Sequence, residues 1–380
     1  MNGDSKNAEQ TRREFLATST GLALATTVAG MSAGATEAAS SAMNAGSRAD
    51  AVKPRRVIID TDPGVDDAIA IFLALRSPEL KVEAITPVSG NVPLALTLPN
   101  ALRLVEIAGR PDIPVAGGAS LPLVRQLVTA KYAHGKNGLA GVDFPAPKIK
   151  PVAETATELI CRLVRANPGE ITIVAIGPLT NIATVLRSDP EIAGMIPAIV
   201  IMGGSLSRGN VTPAAEFNLY VDPEAARIVF DAGIPLTMVG LDVTEKVLLT
   251  DAHVQKLLAA NNPVSQAAAK ITQATIERVR RENLGTSVAM HDPLTVASLI
   301  DPQLLTLTDY CVEIETDGEF TAGMTVGDQR APVRSSAPMA LQGPAEAGPE
   351  LPFHLNAKVA TGVNPDRFFD LLIPRLTQAG

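Results

Sequence analysis

From Lys53 onward, short β-branched runs alternate with longer stretches of helical periodicity. Val57-Ile58-Ile59, Ile171-Thr172-Ile173-Val174, Ala198-Ile199-Val200-Ile201 and Leu236-Thr237-Met238-Val239 are almost continuously apolar, as strands covered on both faces must be. Ala68–Leu75, Ala156–Arg165 and Pro223–Asp231 have the spacing of helices that cover such strands, and a polar loop follows each apolar run. This alternation predicts βαβ units: an α/β protein with a mainly parallel open sheet flanked by helices. The segment Asp251 to Asn283 is more polar and predicts helix, whereas about Tyr310 to Thr325 predicts a small antiparallel edge region. Ala331–Pro352, heavy in Pro, Ala and Gly, predicts an irregular loop or insertion, and no internal repeat is present.

The chain has 380 residues, 46 % hydrophobic and 19 % charged, enough apolar side chain for a sizeable core and too little charge for a disordered chain. With 32 Lys+Arg against 40 Asp+Glu, the formal charge of −8 repels phosphate backbones and argues against a nucleic-acid partner. Trp is absent and only 3 Tyr occur, so the aromatic stacking platforms of single-strand binders are not available. Cys161 and Cys311 are too few for a disulfide scaffold; they are read as buried thiols, with a single bridge between them left open.

The N-terminus carries an address. Thr11-Arg12-Arg13-Glu14-Phe15-Leu16 places an arginine pair before an uncharged, weakly apolar stretch rich in Ala, Thr, Gly and Ser, the pattern of a twin-arginine signal. An uncleaved anchor is the competing reading, but Thr18, Ser19, Thr20, Thr26 and Thr27 make the stretch too polar for a stable spanning helix. Cleavage near Ala33-Gly34-Ala35 gives a signal over residues 1–35, a linker over 36–52 and one catalytic domain over 53–380. The expected partner is then the Tat export machinery, the expected location the periplasm, and the protein crosses the membrane already folded.

In open α/β sheets, ligands sit in the loops at the carboxyl ends of the strands. The first such loop, Asp60-Thr61-Asp62-Pro63-Gly64-Val65-Asp66-Asp67, holds four carboxylates in eight positions. Asp66 and Asp67 could simply cap the following helix, but that explains two of the four. Four carboxylates at one strand tip repel unless some are protonated or a cation lies among them, and a hard ion such as Ca²⁺ or Mg²⁺ suits oxygen ligands. A D-x-D after a buried strand also occurs in haloacid-dehalogenase-like phosphatases, although Gly64 and the Asp66-Asp67 pair depart from that pattern.

The complete acidic string resembles the opening motif of the inosine-uridine-preferring nucleoside hydrolase family. So do, in order, Pro87-Val88-Ser89-Gly90-Asn91-Val92, His134-Gly135 with Gly138-Leu139, Gly177-Pro178-Leu179-Thr180-Asn181, Met202-Gly203-Gly204, Ala215-Glu216-Phe217-Asn218, Asp222-Pro223-Glu224-Ala225-Ala226, Gly240-Leu241-Asp242-Val243-Thr244 and His291-Asp292-Pro293. The resemblance covers nearly all of the chain beyond the linker. It implies the Rossmann-like fold of that family and Ca²⁺-assisted hydrolysis of the N-glycosidic bond of ribonucleosides, giving free base and ribose. Carried over by position, it makes Asp62, Asp67 and Asp292 metal ligands together with the backbone carbonyl of Ile176. Asp62 also becomes the general base towards the attacking water, and His291 the group that protonates the departing base. Asp66, Asn91, Asn210, Glu216 and Asn218 would grip the ribose hydroxyls, with Met202 beneath the sugar and His134 near the base. Each has a structural alternative as helix cap, turn residue or core filler. Asp222 and Asp242 are read as structural, the first capping the helix that starts at Pro223.

The resemblance also implies a homo-oligomer, a dimer or tetramer. It breaks down on the base side: where such hydrolases carry tyrosines before the His-Asp-Pro motif, this chain reads Ile276-Glu277-Arg278-Val279-Arg280-Arg281-Glu282-Asn283. Base recognition is therefore expected from Arg278, Arg281 or Asn283, or from another chain segment. Two other functions stand beside the leading one: a periplasmic nucleoside or ribose binding protein without catalysis, and a hydrolase of a different N-riboside. No phosphate cradle of the Gly-Lys type supports a phosphatase.

Overall fold

The structure, a computed structural model, describes residues 53–328 and 354–379. The signal, the linker and the whole of the loop expected at Ala331–Pro352 lie outside the described residues. The first half of the chain runs β1 (Arg55–Thr61), α1 (Val65–Leu75), β2 (Leu80–Pro87), α2 (Leu94–Ile107), the single turn α3 (Lys131–His134), α4 (Ala156–Ala166), β3 (Ile171–Ala175), α5 (Thr180–Ser188) and β4 (Ile199–Met202). It continues through α6 (Phe217–Val221), α7 (Pro223–Phe230), β5 (Leu236–Val239), the short α8 (Leu241–Thr244), β6 (Leu248–Leu249), α9 (Asp251–Ala259), α10 (Pro263–Arg281), β7 (Val288–Ala289) and α11 (His291–Ile300). The chain closes with β8 (Leu305–Ile314), β9 (Thr325–Asp328), β10 (Ala357–Val363) and α12 (Pro365–Thr377).

Eight strands form one sheet in the order β2-β1-β3-β4-β5-β10-β8-β9. Pairing is parallel from β2 to β10 and antiparallel for β10/β8 and β8/β9, so the fold class and edge region expected from the alternation are those observed. β6 and β7 make a separate antiparallel pair.

The period of two in the strands divides the core between the two faces. Val57, Ile59, Val174, Val200 and Met202 point into one apolar cluster with α1, α2, α10, α11 and α12. Their neighbours Ile58, Ile173, Ile199 and Ile201 point into the other, with α4, α5 and α7. α1 is buried along its whole length, which is why its sequence is apolar all round rather than striped.

Three boundaries differ from the sequence expectation. α1 starts at Val65 rather than Ala68, because Asp67 accepts the Gly64 N–H at 2.9 Å and caps the helix from inside its first turn. The helix expected over Asp251 to Asn283 is two helices, since Asn262 caps a new one by accepting the Ser265 N–H and Pro263 occupies its first position. The antiparallel region begins earlier, at Leu305. Asp222 caps α7 as expected, accepting the Ala225 N–H at 3.0 Å.

Candidate active site

From β1 the chain steps to β2 on one side and to β3 on the other, so the carboxyl ends of β1 and β3 flank a topological switch point. Asp60 pairs with Ala175 across these strands, and the Ile176 N–H donates to the Asp60 carbonyl at 2.8 Å, which brings Asp62 and Ile176 together as the strands end.

The β1–α1 turn is held from within. Asp67 accepts from the Thr61 hydroxyl at 2.6 Å, the Gly64 N–H and the Asn91 side-chain amide at 3.0 Å. Asp62 Oδ2 accepts the Asn91 backbone N–H at 2.6 Å, whereas Asp62 Oδ1 is buried without a hydrogen-bond partner. Two glycines leave room for this carboxylate: a Cβ at Gly90 would fall 2.1 Å from Oδ2, and one at Gly177 would fall 2.8 Å from Oδ1. Asp292 joins from the first turn of α11, and one oxygen from each of Asp66, Asp67 and Asp292 lies within 4.8 Å of the others. The structure thus adds Asp66 to the tight group of carboxylates and leaves Asp62 just outside it. The Ile176 carbonyl accepts from the Asn218 side-chain amide at 3.2 Å.

No Lys or Arg hydrogen-bonds to any of these carboxylates among the described residues. Burial, and then the negative charge of Asp67, push Asp62 well above the usual carboxylate range. Burial raises Asp292 likewise, reinforced by Asp66, Asp67 and Asp62, and burial also raises Asp66 and Asp67. A positive ion would reverse these shifts, because an opposing charge favours the ionised form. The donor set fits one: buried hard oxygens, like charges with no cationic side chain, and an unbonded oxygen on Asp62.

Above this group opens a cleft of about 140 Å³. Its walls carry Asp66, Asn91, Met202, Asn210, Glu216 and Asn218, every residue the resemblance places on the sugar, together with His134. Ile176, His291 and Asp292 also line it, while Asp62 and Asp67, both fully buried, do not. Glu216 caps α6: its carboxylate accepts from the N–H groups of Asn218 and Leu219 and of Gly204, and burial pushes it up to about 7. Asn210 accepts the Phe217 N–H at 3.0 Å, and Asn218 bridges the Ile176 and Met202 carbonyls. Hydrogen bonds thus lock the polar wall before any ligand enters.

Two histidines, His134 and His291, line the cleft. His134 Nδ1 accepts the Val65 N–H at 3.0 Å, and the ring fills the space that a Gly64 side chain would need. His291 Nδ1 lies 2.7 Å from the Thr244 hydroxyl. Burial lowers His134 to about 3 and His291 to about 4, so both rings are neutral at neutral pH.

The base side differs from the expectation. Arg281 and Asn283 are exposed and, like Arg278, do not line the cleft; Arg278 pairs with Glu282 at 2.7 Å. Tyr132 from α3 and Phe217 from α6 line it instead. The sequence signal for these contacts is Tyr132, two residues before His134, rather than the segment just before His291.

The sequence profile of the inosine-uridine preferring nucleoside hydrolase family matches residues 57–370. The pyrimidine-specific ribonucleoside hydrolase RihA of Citrobacter koseri is 50 % identical over 273 residues, 72 % of this chain and 88 % of that protein. RihA of Salmonella agona is 48 % identical over the same share of each. Among solved structures, the plant nucleoside hydrolase PpNRh1 is 36 % identical with a TM-score of 0.78, covering 86 % of this chain and 100 % of that one. A purine-preferring ribonucleoside hydrolase from Gardnerella vaginalis is 33 % identical with a TM-score of 0.76, covering 85 % and 98 %.

Proposed function

The chain belongs to the inosine-uridine preferring nucleoside hydrolase family and is an N-glycosyl hydrolase of ribonucleosides; on that premise we propose that it is a Ca²⁺-dependent hydrolase preferring pyrimidine ribonucleosides. The observation that carries the metal is the buried group Asp66, Asp67 and Asp292 beside the unbonded oxygen of Asp62. The pyrimidine preference rests on the relatives that are 48 % and 50 % identical. A dication held by Asp62, Asp67, Asp292 and the Ile176 carbonyl would acidify a neighbouring water and hold sugar hydroxyls in place.

The chain's own groups do the rest. Asp62 Oδ1 is free to accept the proton of the attacking water. Asp66, Asn91, Asn210, Glu216 and Asn218 hold the ribose, with Met202 below it, so that water and anomeric carbon meet without further ordering. Positive charge developing on the ribosyl ring is stabilised by the carboxylates beneath the cleft. His291 and His134 face the base, and Tyr132 and Phe217 offer it apolar contact.

The arginine pair Arg12-Arg13 and the weakly apolar stretch after it support export through the twin-arginine machinery to the periplasm. The proposed division is a signal over 1–35, a linker over 36–52 and the catalytic domain over 53–380. We extend to this chain the homo-oligomeric state that the resemblance implies. The deciding experiment measures reducing ribose released from purine, pyrimidine and nicotinamide ribosides, with and without chelator, beside Asp62→Ala. Chelator-sensitive release, fastest from uridine or cytidine and lost in the variant, is expected; release indifferent to chelator, or fastest from purines, contradicts the reading.

A further inference from the structure

The segment Gly240-Leu241-Asp242-Val243-Thr244 has no part in the steps above, yet it is packed tightly against the site. A Cβ on Gly240 would fall 2.6 Å from the Gly204 carbonyl, and the Leu241 N–H donates to that carbonyl at 3.0 Å. Asp242 accepts the Leu206 N–H at 2.8 Å. These contacts pin α8 to the loop that follows β4, and Thr244 at its end is 0 % exposed.

Thr244 Oγ1 lies 2.7 Å from His291 Nδ1 and has no other hydrogen-bond partner among the described residues. That fixes the direction of the bond. If Nδ1 carried the proton and donated it, the hydroxyl hydrogen would be buried without an acceptor, a costly arrangement. If the hydroxyl donates to Nδ1, both groups are satisfied and the ring's own proton sits on Nε2. Nε2 has no hydrogen-bond partner among the described residues, and the His291 ring lines the cleft.

We propose that Thr244 is the positioning residue of His291, setting its rotation and tautomer so that an Nε2–H donor faces the nitrogen of the departing base. This rests on the hydrolase reading. As the C–N bond breaks, its electron pair passes to the base nitrogen, and the Nε2–H hydrogen-bonds to the charge that builds there.

Thr244→Val keeps the shape and removes the hydroxyl, whereas Thr244→Ser keeps the hydroxyl. Both are compared with the unaltered protein on uridine and on 4-nitrophenyl riboside, whose leaving group is stable as an anion and needs little help. Thr244→Val is expected to lower kcat on uridine by about 100-fold, with less than about threefold loss on the nitrophenyl riboside. KM should stay within about twofold, and Thr244→Ser should restore uridine turnover to within about fivefold. In the chelated protein, ¹⁵N spectra of His291 should show Nε2 protonated and Nδ1 as a hydrogen-bonded acceptor, and Thr244→Val should mix the tautomers. Equal losses on both substrates, or a protonated Nδ1 in the unaltered protein, overturn the proposal. If the unaltered protein splits neither substrate, the hydrolase reading fails, and the ¹⁵N spectra still decide the tautomer.

Discussion

Replacing Asp62 by Asn separates what the acidic group contributes to the fold from what it contributes to metal binding. The Asp62 side chain is fully buried, with one oxygen on the Asn91 N–H and the other without a partner. Without metal, the amide removes one negative charge from a group of like charges but leaves its own NH₂ unpaired, a cost of about 1–3 kcal/mol. Burial and the charge on Asp67 already penalise the native carboxylate, so the two effects nearly offset. The chelated variant should melt within about 3 °C of the chelated native protein.

With Ca²⁺ at about 100 times its Kd, binding stabilises the native protein by about 2.7 kcal/mol, or about 5 °C in a domain of this size. Loss of one charged ligand that weakens binding about 100-fold leaves about 0.4 kcal/mol, under about 1 °C. Scanning calorimetry at matched Ca²⁺ and in chelator reads both numbers. A native Tm indifferent to Ca²⁺, or a variant that gains as much as the native protein, refutes the reasoning.

Two further outcomes follow from the same geometry. Asp60 and Glu216, both pushed up to about 7 by burial, keep their protons in the folded chain at pH values where the unfolded chain has lost them. Stability from these groups is therefore complete below about pH 4 and is lost as pH rises through about 7, at most about 4 kcal/mol each. The chelated protein should melt higher at pH 5 than at pH 7.5, and the opposite order would contradict the burial argument. Tyr132→Ala, at a residue 63 % exposed that nonetheless lines the cleft, should leave Tm unchanged and lower kcat/KM on nucleosides by about tenfold through lost contact with the base; steady-state kinetics on uridine and inosine check this.

Elements with strong local patterns were legible before the structure. β1, β3, β4 and β5 are apolar runs because both faces of the sheet are covered, and that requirement acts residue by residue. β2 was not singled out, because Lys81 and Glu83 break its run: they form an ion pair at 2.8 Å where the outermost strand meets solvent. The position of β10 between β5 and β8 was illegible for a different reason. Ala357 pairs with Leu236 on one side and Tyr310 on the other, and nothing in either local pattern encodes a partner so distant in sequence.

The site shows the same division more sharply. The carboxylates and the polar residues that the structure gathers in one cleft are legible because each lies in a short motif at a strand end, where the parallel sheet forces the loops to converge. The aromatic side of the cleft is not, because Tyr132 reaches it from α3, in the long connection between α2 and α4 whose path is set by remote contacts. Asp222 accepts the Leu123 N–H at 2.9 Å and the Thr180 hydroxyl at 2.7 Å, and Arg125 pairs with Glu224 at 2.9 Å. Thus the start of α7, which the sequence marked only as a cap, anchors the loop that carries Tyr132 and His134. On the proposed reading, the sugar and metal contacts and the base contacts are held by different parts of the chain, so one set can change without the other. On that reading, substitutions in the loop over Leu121–Tyr132 should shift base preference while leaving the carboxylate group intact.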